Sequence, residues 1–151
     1  MADVVLIFGR RGTGKTYLLR ELCREWDGPL YVHDPMAQLD DLDPDGDADE
    51  TSLVPGAMLA LDEIDLLAGV RGYREVWVQH AVHYGRHLGV SLIGTSRRPA
   101  SVHRDLSALA TEVYVGRITE PRDIKYCVDA WGEQFNNINT LPPWQFLHYF
   151  P

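Results

Sequence analysis

A length of 151 residues suits one domain with a single core, and 45% hydrophobic against 24% charged residues excludes a chain that is disordered throughout. The formal net charge of −8 argues against nucleic-acid binding by a broad basic surface, although many of the acids crowd residues 40–50. No stretch reaches the ~20 apolar residues that cross a bilayer, and no basic leader precedes the first apolar run, so we expect a soluble, cytoplasmic protein.

The first part of the chain alternates between strand and helix patterns. Val4–Phe8 is a continuous apolar run, which is typical of a strand buried on both faces. A helix is predicted from about 15 to 25, a second strand over 30–33 and a third over 57–61. The inner face of the helix is expected to carry Tyr17, Leu18, Leu22 and Cys23. Residues from about 36 to 55 are rich in Asp, Pro and Gly, which predicts an acidic, mobile loop.

The second part of the chain continues the alternation. Gly69 and Gly72 flank a predicted turn, and a helix is expected from about 73 to 87. Further strands are predicted over 90–95, around 113–115 and near 146–150, with a helix over 121–131 between the last two. The pattern predicts one α/β domain over residues 1–151, in which helices cover both faces of a mostly parallel central sheet.

A glycine-rich motif joins the first strand to the first helix. The sequence Gly9-Arg10-Arg11-Gly12-Thr13-Gly14-Lys15-Thr16 fits G-x-x-x-x-G-K-[ST] at every fixed position. Backbone N–H groups of such a loop and the helix N-terminus bind phosphate oxygens, Lys15 holds the β- and γ-phosphates, and Thr16 coordinates Mg²⁺. The alternative is a glycine-rich turn with a chance lysine. The predicted nucleotide-binding residues are Gly9, Arg10, Arg11, Gly12, Thr13, Gly14, Lys15, Thr16 and Tyr17.

Two acids end the third predicted strand. Asp62 directly follows the apolar run Met58–Leu61, where a carboxylate can reach a Mg²⁺ ion held beside Thr16. Glu63 can orient and deprotonate a water molecule in line with the γ-phosphate. An apolar strand that ends in solvated acids is the alternative, but the preceding motif favours ATP and Mg²⁺ as cofactors and ATP hydrolysis as the reaction.

Four further segments carry a second set of motifs. They are residues 86–99, which begin with Arg86 and end with Arg97-Arg98-Pro99, then His33-Asp34-Pro35, residues 115–123, and Leu141-Pro142-Pro143. These segments resemble the HerA/FtsK superfamily of P-loop ATPases, which carries an arginine just ahead of its fourth strand and a Thr/Ser-Gln-Arg-Pro signature just after it. The family's polar sensor is usually Gln, and Arg97 stands at the aligned position, where it could contact the γ-phosphate directly.

The resemblance implies a three-layer RecA-like fold of the ASCE class, with an extra strand between the strands of the two nucleotide motifs. It also implies a homo-oligomeric ring, a pentamer or hexamer, whose ATP hydrolysis moves DNA. Arg86 would be the arginine that enters the neighbouring subunit's site and neutralises transition-state charge. The alternative for Arg86 is a solvated position at a helix C-terminus, where arginine is favourable in any case.

The size of the chain matches the genome-packaging ATPases of tailless double-stranded DNA viruses within this superfamily. That resemblance implies double-stranded DNA and a capsid vertex or portal protein as partners, and a location in the host cytoplasm or on the virion. Arg71, Tyr73 and Arg74 adjoin the Gly69/Gly72 turn and could meet phosphates and stack on bases in the pore of a ring. An ordinary loop with solvated arginines is the alternative.

Three weaker patterns favour structural interpretations. The segment from Asp41 to Gly46 resembles the opening of a calcium loop but lacks the closing Glu, so a solvated loop is favoured. His80, His83 and His87 would share a helix face without an acid or Cys to complete a metal site, so packing or a subunit interface is favoured. The two cysteines, Cys23 and Cys127, are expected to be free thiols.

Three other functions remain open from the sequence. Zot-type phage assembly ATPases share the arginine before the fourth strand and act on protein, but they are normally membrane-anchored. A small-molecule kinase needs an arginine-rich lid, whereas residues 101–111 hold only His103 and Arg104, and Glu63 would have no role. A nucleotide-binding subunit without turnover is the third.

Overall fold

The computed structural model describes residues 2–150. Within this range seven strands form the central sheet, in the order β3-β2-β4-β7-β1-β8-β9. The strands are β1 (Val4–Phe8), β2 (Leu30–His33), β3 (Gly46–Asp47), β4 (Met58–Leu61), β5 (Ala68–Gly69), β6 (Gly72–Tyr73), β7 (Ser91–Ser96), β8 (Glu112–Val115) and β9 (Leu147–Tyr149). The helices are α1 (Lys15–Arg24), α2 (Val76–Leu88), α3 (Arg104–Leu109) and α4 (Pro121–Trp131).

The sheet is parallel except at one edge. β1 pairs in parallel with both β7 and β8, and β4 pairs in parallel with both β2 and β7. Only β9, paired with β8, runs antiparallel within this sheet of residues 2–150. β7 therefore lies between the strand that precedes the glycine-rich motif and the strand that precedes the acidic pair, as the resemblance implied.

Helices cover both faces of the sheet, which gives the predicted three-layer α/β fold. Side chains alternate along β1, so Leu6 and Phe8 face one core while Val5 and Ile7 face the other. The first core is closed by α2, α3, α4 and the 3₁₀ segment Glu133–Thr140. The second is closed by α1, with Leu39 from the chain after β2.

The structure differs in detail from two sequence predictions about these elements. The segment 36–55 is not a plain loop, because Gly46–Asp47 pairs with β2 and the Asp45 carboxylate accepts a hydrogen bond from the Leu30 N–H at 2.8 Å. Two short 3₁₀ turns, Asp40–Leu42 and Glu50–Ser52, flank this edge strand. The helix predicted from 73 begins at Val76, because Gly72–Tyr73 pairs with Ala68–Gly69 in a small antiparallel hairpin.

The prediction for the inner face of α1 is confirmed except at Tyr17, which is exposed. Leu19 and Cys23 are the buried residues of this helix, and Leu18 and Leu22 pack at the margin of the core. Both cysteines are free and buried, and burial raises the pKa of each thiol to about 12. No helix within residues 2–150 is long and apolar enough to cross a membrane.

Candidate functional site

The parallel sheet brings the separate motifs together at the carboxyl ends of its strands. The carboxyl ends of β1, β4 and β7 are neighbours, with Phe8 paired to Ser96 and Leu61 paired to Gly94. The glycine-rich loop and the acidic pair follow these strand ends directly, so both open onto the same cavity of about 710 Å³. The predicted residues that line it are Arg11, Gly12, Gly14, Lys15, Thr16, Tyr17, Asp62, Glu63 and Arg97.

The loop between β1 and α1 has the backbone shape that its glycines predict. Gly12 and Gly14 have φ angles of +84° and +93°, which a residue with a side chain rarely adopts. Thr13 is buried, and its hydroxyl donates to the Arg10 carbonyl at 2.7 Å, which closes the turn. The Arg10 N–H is itself held by the Arg117 carbonyl beyond β8. The loop is therefore fixed from both sides before any ligand binds.

Lys15 is the first residue of α1, and its side chain folds back onto this loop. Its ammonium donates to the Gly9 carbonyl at 2.8 Å and to the Arg10 carbonyl at 3.2 Å. Burial lowers the pKa of Lys15, the Asp62 carboxylate raises it, and the Arg97 guanidinium lowers it again. The side chains of Lys15, Asp62 and Arg97 all line the same cavity.

The acidic pair is held by a threonine on β7. The Thr95 hydroxyl donates to the Asp62 carboxylate at 2.5 Å and accepts the Glu63 N–H at 3.0 Å. Asp62 and Thr95 are almost fully buried, whereas Glu63 is partly exposed. Glu63 adopts a left-handed conformation (φ 53°, ψ 53°), which is unusual for a non-glycine residue and is often found at functional sites. A single Thr95 hydroxyl thus holds the Asp62 carboxylate and the Glu63 backbone.

Oxygen atoms suited to a magnesium ion line the cavity beside α1, on Thr16 and Asp62. The Thr16 hydroxyl, at the start of α1, donates to the Gln38 side-chain oxygen at 3.2 Å. The Asp34 carboxylate places Gln38 there, because it accepts the backbone N–H groups of Gln38 and Leu39, each at 2.8 Å. A hydroxyl with one buried carboxylate fits Mg²⁺, which takes one or two protein oxygens and completes its shell with phosphates and water. Thr16 and Asp62 are the residues that would hold it.

The two adjacent arginines after β7 have different surroundings. The Arg98 side chain donates from Nε to the buried Asp123 carboxylate at 2.9 Å, and this ion pair ties the segment after β7 to α4. Arg97 is exposed, lines the cavity and makes no ion pair or side-chain hydrogen bond within residues 2–150. Arg97 is therefore the arginine of this pair that faces the candidate site.

Arg86 lies at the other end of the strands, beside the amino end of β7. It is exposed in the last turn of α2, just before the amino end of β7. β7 is six residues long and pairs in parallel with β1 over five of them, which puts roughly 17 Å of strand between Arg86 and the glycine-rich loop. Arg86 has no ion pair within residues 2–150, and this position prevents it from reaching the site of its own chain.

The three predicted DNA-contact residues are not equivalent. Arg71 and Arg74 are exposed on and beside the β5–β6 hairpin, which begins soon after the acidic pair. The Tyr73 hydroxyl donates to Asp105 at 2.8 Å, and its ring stacks on His103 with centroids 4.3 Å apart. These contacts occupy one face of the Tyr73 ring, and its stacking on bases stays a prediction.

The histidines of α2 also differ from expectation. An acid does reach His83, since its Nε2 lies 2.7 Å from the Asp105 carboxylate, and this contact helps to lower the pKa of Asp105. The described residues nevertheless hold no group of three or more His, Cys, Asp or Glu arranged to bind a metal ion. The His83–Asp105–Tyr73 contacts instead fasten the hairpin to α2 and α3.

Thr95, Gln38 and Trp144 are among the cavity residues that the sequence analysis did not assign to the site. Thr95 had a sequence signal, since Thr95-Ser96 ends an apolar strand at the end of the sheet that carries the other motifs. Gln38 lies in the segment expected to be a mobile loop, and Trp144 follows the Leu141-Pro142-Pro143 motif. Neither offered a local pattern that predicts contact with the glycine-rich loop.

Comparison with solved structures identifies the fold. The genome-packaging NTPase B204 from Sulfolobus turreted icosahedral virus 2, in complex with AMPPCP, matches with a TM-score of 0.79 at 16% identity, over 99% of this chain and 92% of its own. The B204 DNA-packaging ATPase from Sulfolobus turreted icosahedral virus matches with a TM-score of 0.78 at 18% identity, over 98% and 92%. The N-terminal domain of zonular occludens toxin from Neisseria meningitidis matches with a TM-score of 0.56 at 16% identity, over 81% and 79%.

No protein-family model matches the sequence, and no curated protein does either. The structural matches establish a P-loop ATPase fold of the RecA-like, three-layer type. At these identities the likeness extends to the fold, and the activity must be argued from the residues of this chain.

Proposed function

We propose that residues 1–151 act as one ATPase domain that binds ATP with Mg²⁺, hydrolyses it, and uses the hydrolysis to move DNA. The observation that carries the proposal is the convergence of Lys15, Thr16, Asp62, Glu63 and Arg97 on one cavity. A phosphate cradle alone would fit any P-loop protein. The additional acid at the γ-phosphate end distinguishes a site that activates water from one that only holds a nucleotide.

Each residue has a role that its position supports. The N–H groups of the loop and of the start of α1 receive the phosphates, and Lys15 neutralises the β- and γ-oxygens. A bound Mg²⁺ ion would neutralise further phosphate charge, with Thr16 and Asp62 as its protein ligands. Glu63, partly exposed and oriented through Thr95, accepts the proton of the attacking water. Arg97 stabilises negative charge that develops on the γ-phosphate.

Arg86 supports the proposal that the active form is an oligomeric ring. It lies at the other end of the strands from the nucleotide cavity and has no ion-pair partner within residues 2–150. An arginine in that place can complete a site only in a neighbouring copy. A pentameric or hexameric ring would set Arg86 of one subunit against the γ-phosphate of the next.

The β5–β6 hairpin is the proposed contact with DNA. Arg71 and Arg74 supply positive charge on a chain whose net charge is −8, so their contribution is local. The hairpin follows Glu63 by a single 3₁₀ turn, Ile64–Leu66, which offers a short connection between hydrolysis and the DNA contact. The structural likeness to viral packaging ATPases favours double-stranded DNA as the polymer and a capsid vertex or portal protein as the docking partner.

Single-arginine variants test the DNA contact. Arg71→Ala should reduce stimulation of hydrolysis by double-stranded DNA and lessen the dependence of DNA binding on salt. Arg122→Ala, also exposed but at the start of α4, is the matched control and should leave both unchanged. Equal effects of the two variants would contradict the assignment of the hairpin as the DNA contact.

A second candidate function is the assembly or export of protein by a Zot-like ATPase. The structural likeness to the N-terminal domain of zonular occludens toxin favours it, with a TM-score of 0.56 over 81% of this chain. Hydrolysis that requires Glu63 but does not respond to DNA, together with binding to a membrane partner, would favour this function over DNA transport. A kinase is disfavoured, because the cavity holds a second acid, Glu63, that phosphoryl transfer to a small molecule would not need.

A further inference from the structure

Trp144 adopts an unusual backbone conformation beside the glycine-rich loop. Its φ angle is +70°, a left-handed conformation that bulky residues rarely adopt. The Trp144 N–H donates to the Thr13 carbonyl at 3.1 Å, which ties residue 144 directly to the loop. Strain of this kind persists where surrounding structure fixes it, and such positions cluster at ligand sites.

The indole of Trp144 is held on one side and open on the other. A Cβ atom placed on Gly14 would lie 2.6 Å from the indole Cε3, so one part of the ring packs directly on the loop backbone. The Tyr17 ring meets the indole edge-to-face, with centroids 5.4 Å apart. Both side chains nevertheless remain largely exposed, Trp144 at 61% and Tyr17 at 52%, and both line the cavity that contains Lys15 and Thr16.

Packing does not account for this exposed aromatic pair. Trp77 and Trp131 are buried in the core, and Trp26 donates its indole N–H to the Pro29 carbonyl. The exposed Trp144 indole presents a flat apolar surface in the same cavity as Lys15 and Thr16. Flat aromatic rings stack on such surfaces, and every nucleobase has a suitable face.

We propose that Trp144 and Tyr17 form the nucleobase subsite, in which the open face of the indole stacks on the purine of a nucleoside triphosphate. The subsite rests on the proposed function, because the phosphate cradle determines where the base lies. Tyr17 supports the indole at its edge and keeps it at the mouth of the cavity. The hydrogen bond from Trp144 to Thr13 couples base binding to the geometry of the phosphate loop.

The test compares ATP with inorganic tripolyphosphate, which has the phosphates but no base. Calorimetric titration with Mg²⁺ present should show ATP binding the wild-type protein more tightly than tripolyphosphate. Trp144→Leu removes the aromatic face but retains an apolar side chain with the same backbone restriction. It should weaken ATP binding about 5- to 100-fold, as expected for loss of one base–aromatic stack, and leave tripolyphosphate binding within about 2-fold. Trp144→Phe should recover most of the ATP affinity.

The outcomes separate the subsite from the phosphate cradle. Equal weakening of both ligands by Trp144→Leu would mean that Trp144 only supports the loop, and unchanged ATP binding would mean that it does not meet the base; either result overturns the subsite. Equal affinity of the wild-type protein for the two ligands would overturn it while leaving the cradle in place. Binding of neither ligand by the wild-type protein would instead overturn the proposed function, and the subsite with it.

Discussion

Removal of the Thr95 hydroxyl should impair both the stability of the protein and its hydrolysis of ATP. Thr95→Val keeps the shape of the side chain but deletes the donor to Asp62 and the acceptor for the Glu63 N–H. The hydrogen bond from Thr95 to the buried Asp62 carboxylate contributes about 1.5–3 kcal/mol to the free energy of unfolding. Loss of the acceptor for the Glu63 N–H leaves that group without its partner, at a cost of about 1–3 kcal/mol.

The two contributions overlap, because one hydroxyl serves both contacts. We therefore expect the free energy of unfolding to fall by about 2–4 kcal/mol, which lowers Tm by roughly 4–16 °C in a domain of this size. Typical stabilities of 5–15 kcal/mol leave the variant folded at room temperature. The rate of ATP hydrolysis should fall by more than the loss of folded protein can explain. The reason is that the Asp62 carboxylate and the Glu63 backbone lose the contact that positions both of them.

Urea unfolding and steady-state hydrolysis of ATP provide the two measurements. Thr95→Ser is the matched control, since it retains the hydroxyl and loses one methyl group, at a cost of about 1 kcal/mol. The serine variant should keep most of the activity. Wild-type turnover in Thr95→Val, or equal loss of turnover in the valine and serine variants, would refute the role assigned to the hydroxyl.

Three further predictions concern other parts of the fold. Gly94→Ala should lower the free energy of unfolding by about 1–3 kcal/mol in urea titrations, because the new Cβ would lie 2.9 Å from the Ile64 Cβ. Cys23 and Cys127 should resist thiol reagents at pH 8 until the protein is unfolded, since burial raises the pKa of each to about 12; rapid native labelling would contradict their burial. Arg86→Ala should lower kcat about 10³-fold while ATP binding stays intact, as calorimetry and turnover together would show.

The sequence predicted those features that local patterns encode. The apolar run Val4–Phe8 and the glycine-rich motif after it fixed β1, the loop and the start of α1, and the structure confirms all three elements. The mostly parallel sheet followed from alternating strands and helices. The extra strand between β1 and β4 came from the resemblance, and the structure confirms that as well.

Features that depend on contacts between distant segments were not predictable. The pairing of β4 with β7 sets Thr95 beside Asp62, and no local pattern specifies that register. Trp144 meets Thr13 across 131 positions in the chain. Tyr73 was expected at a helix start, whereas its hydrogen bond to Asp105 and stacking on His103 depend on the packing of α3 against α2.

Steady-state ATP hydrolysis, measured with and without double-stranded DNA at a protein concentration that permits assembly, tests the central claim most directly. A Glu63→Gln variant is the control, because it preserves the shape of the side chain and removes the base. We predict hydrolysis that double-stranded DNA stimulates and that the variant abolishes while still binding ATP. No hydrolysis by the wild-type protein, or equal hydrolysis by the Glu63→Gln variant, would contradict the account.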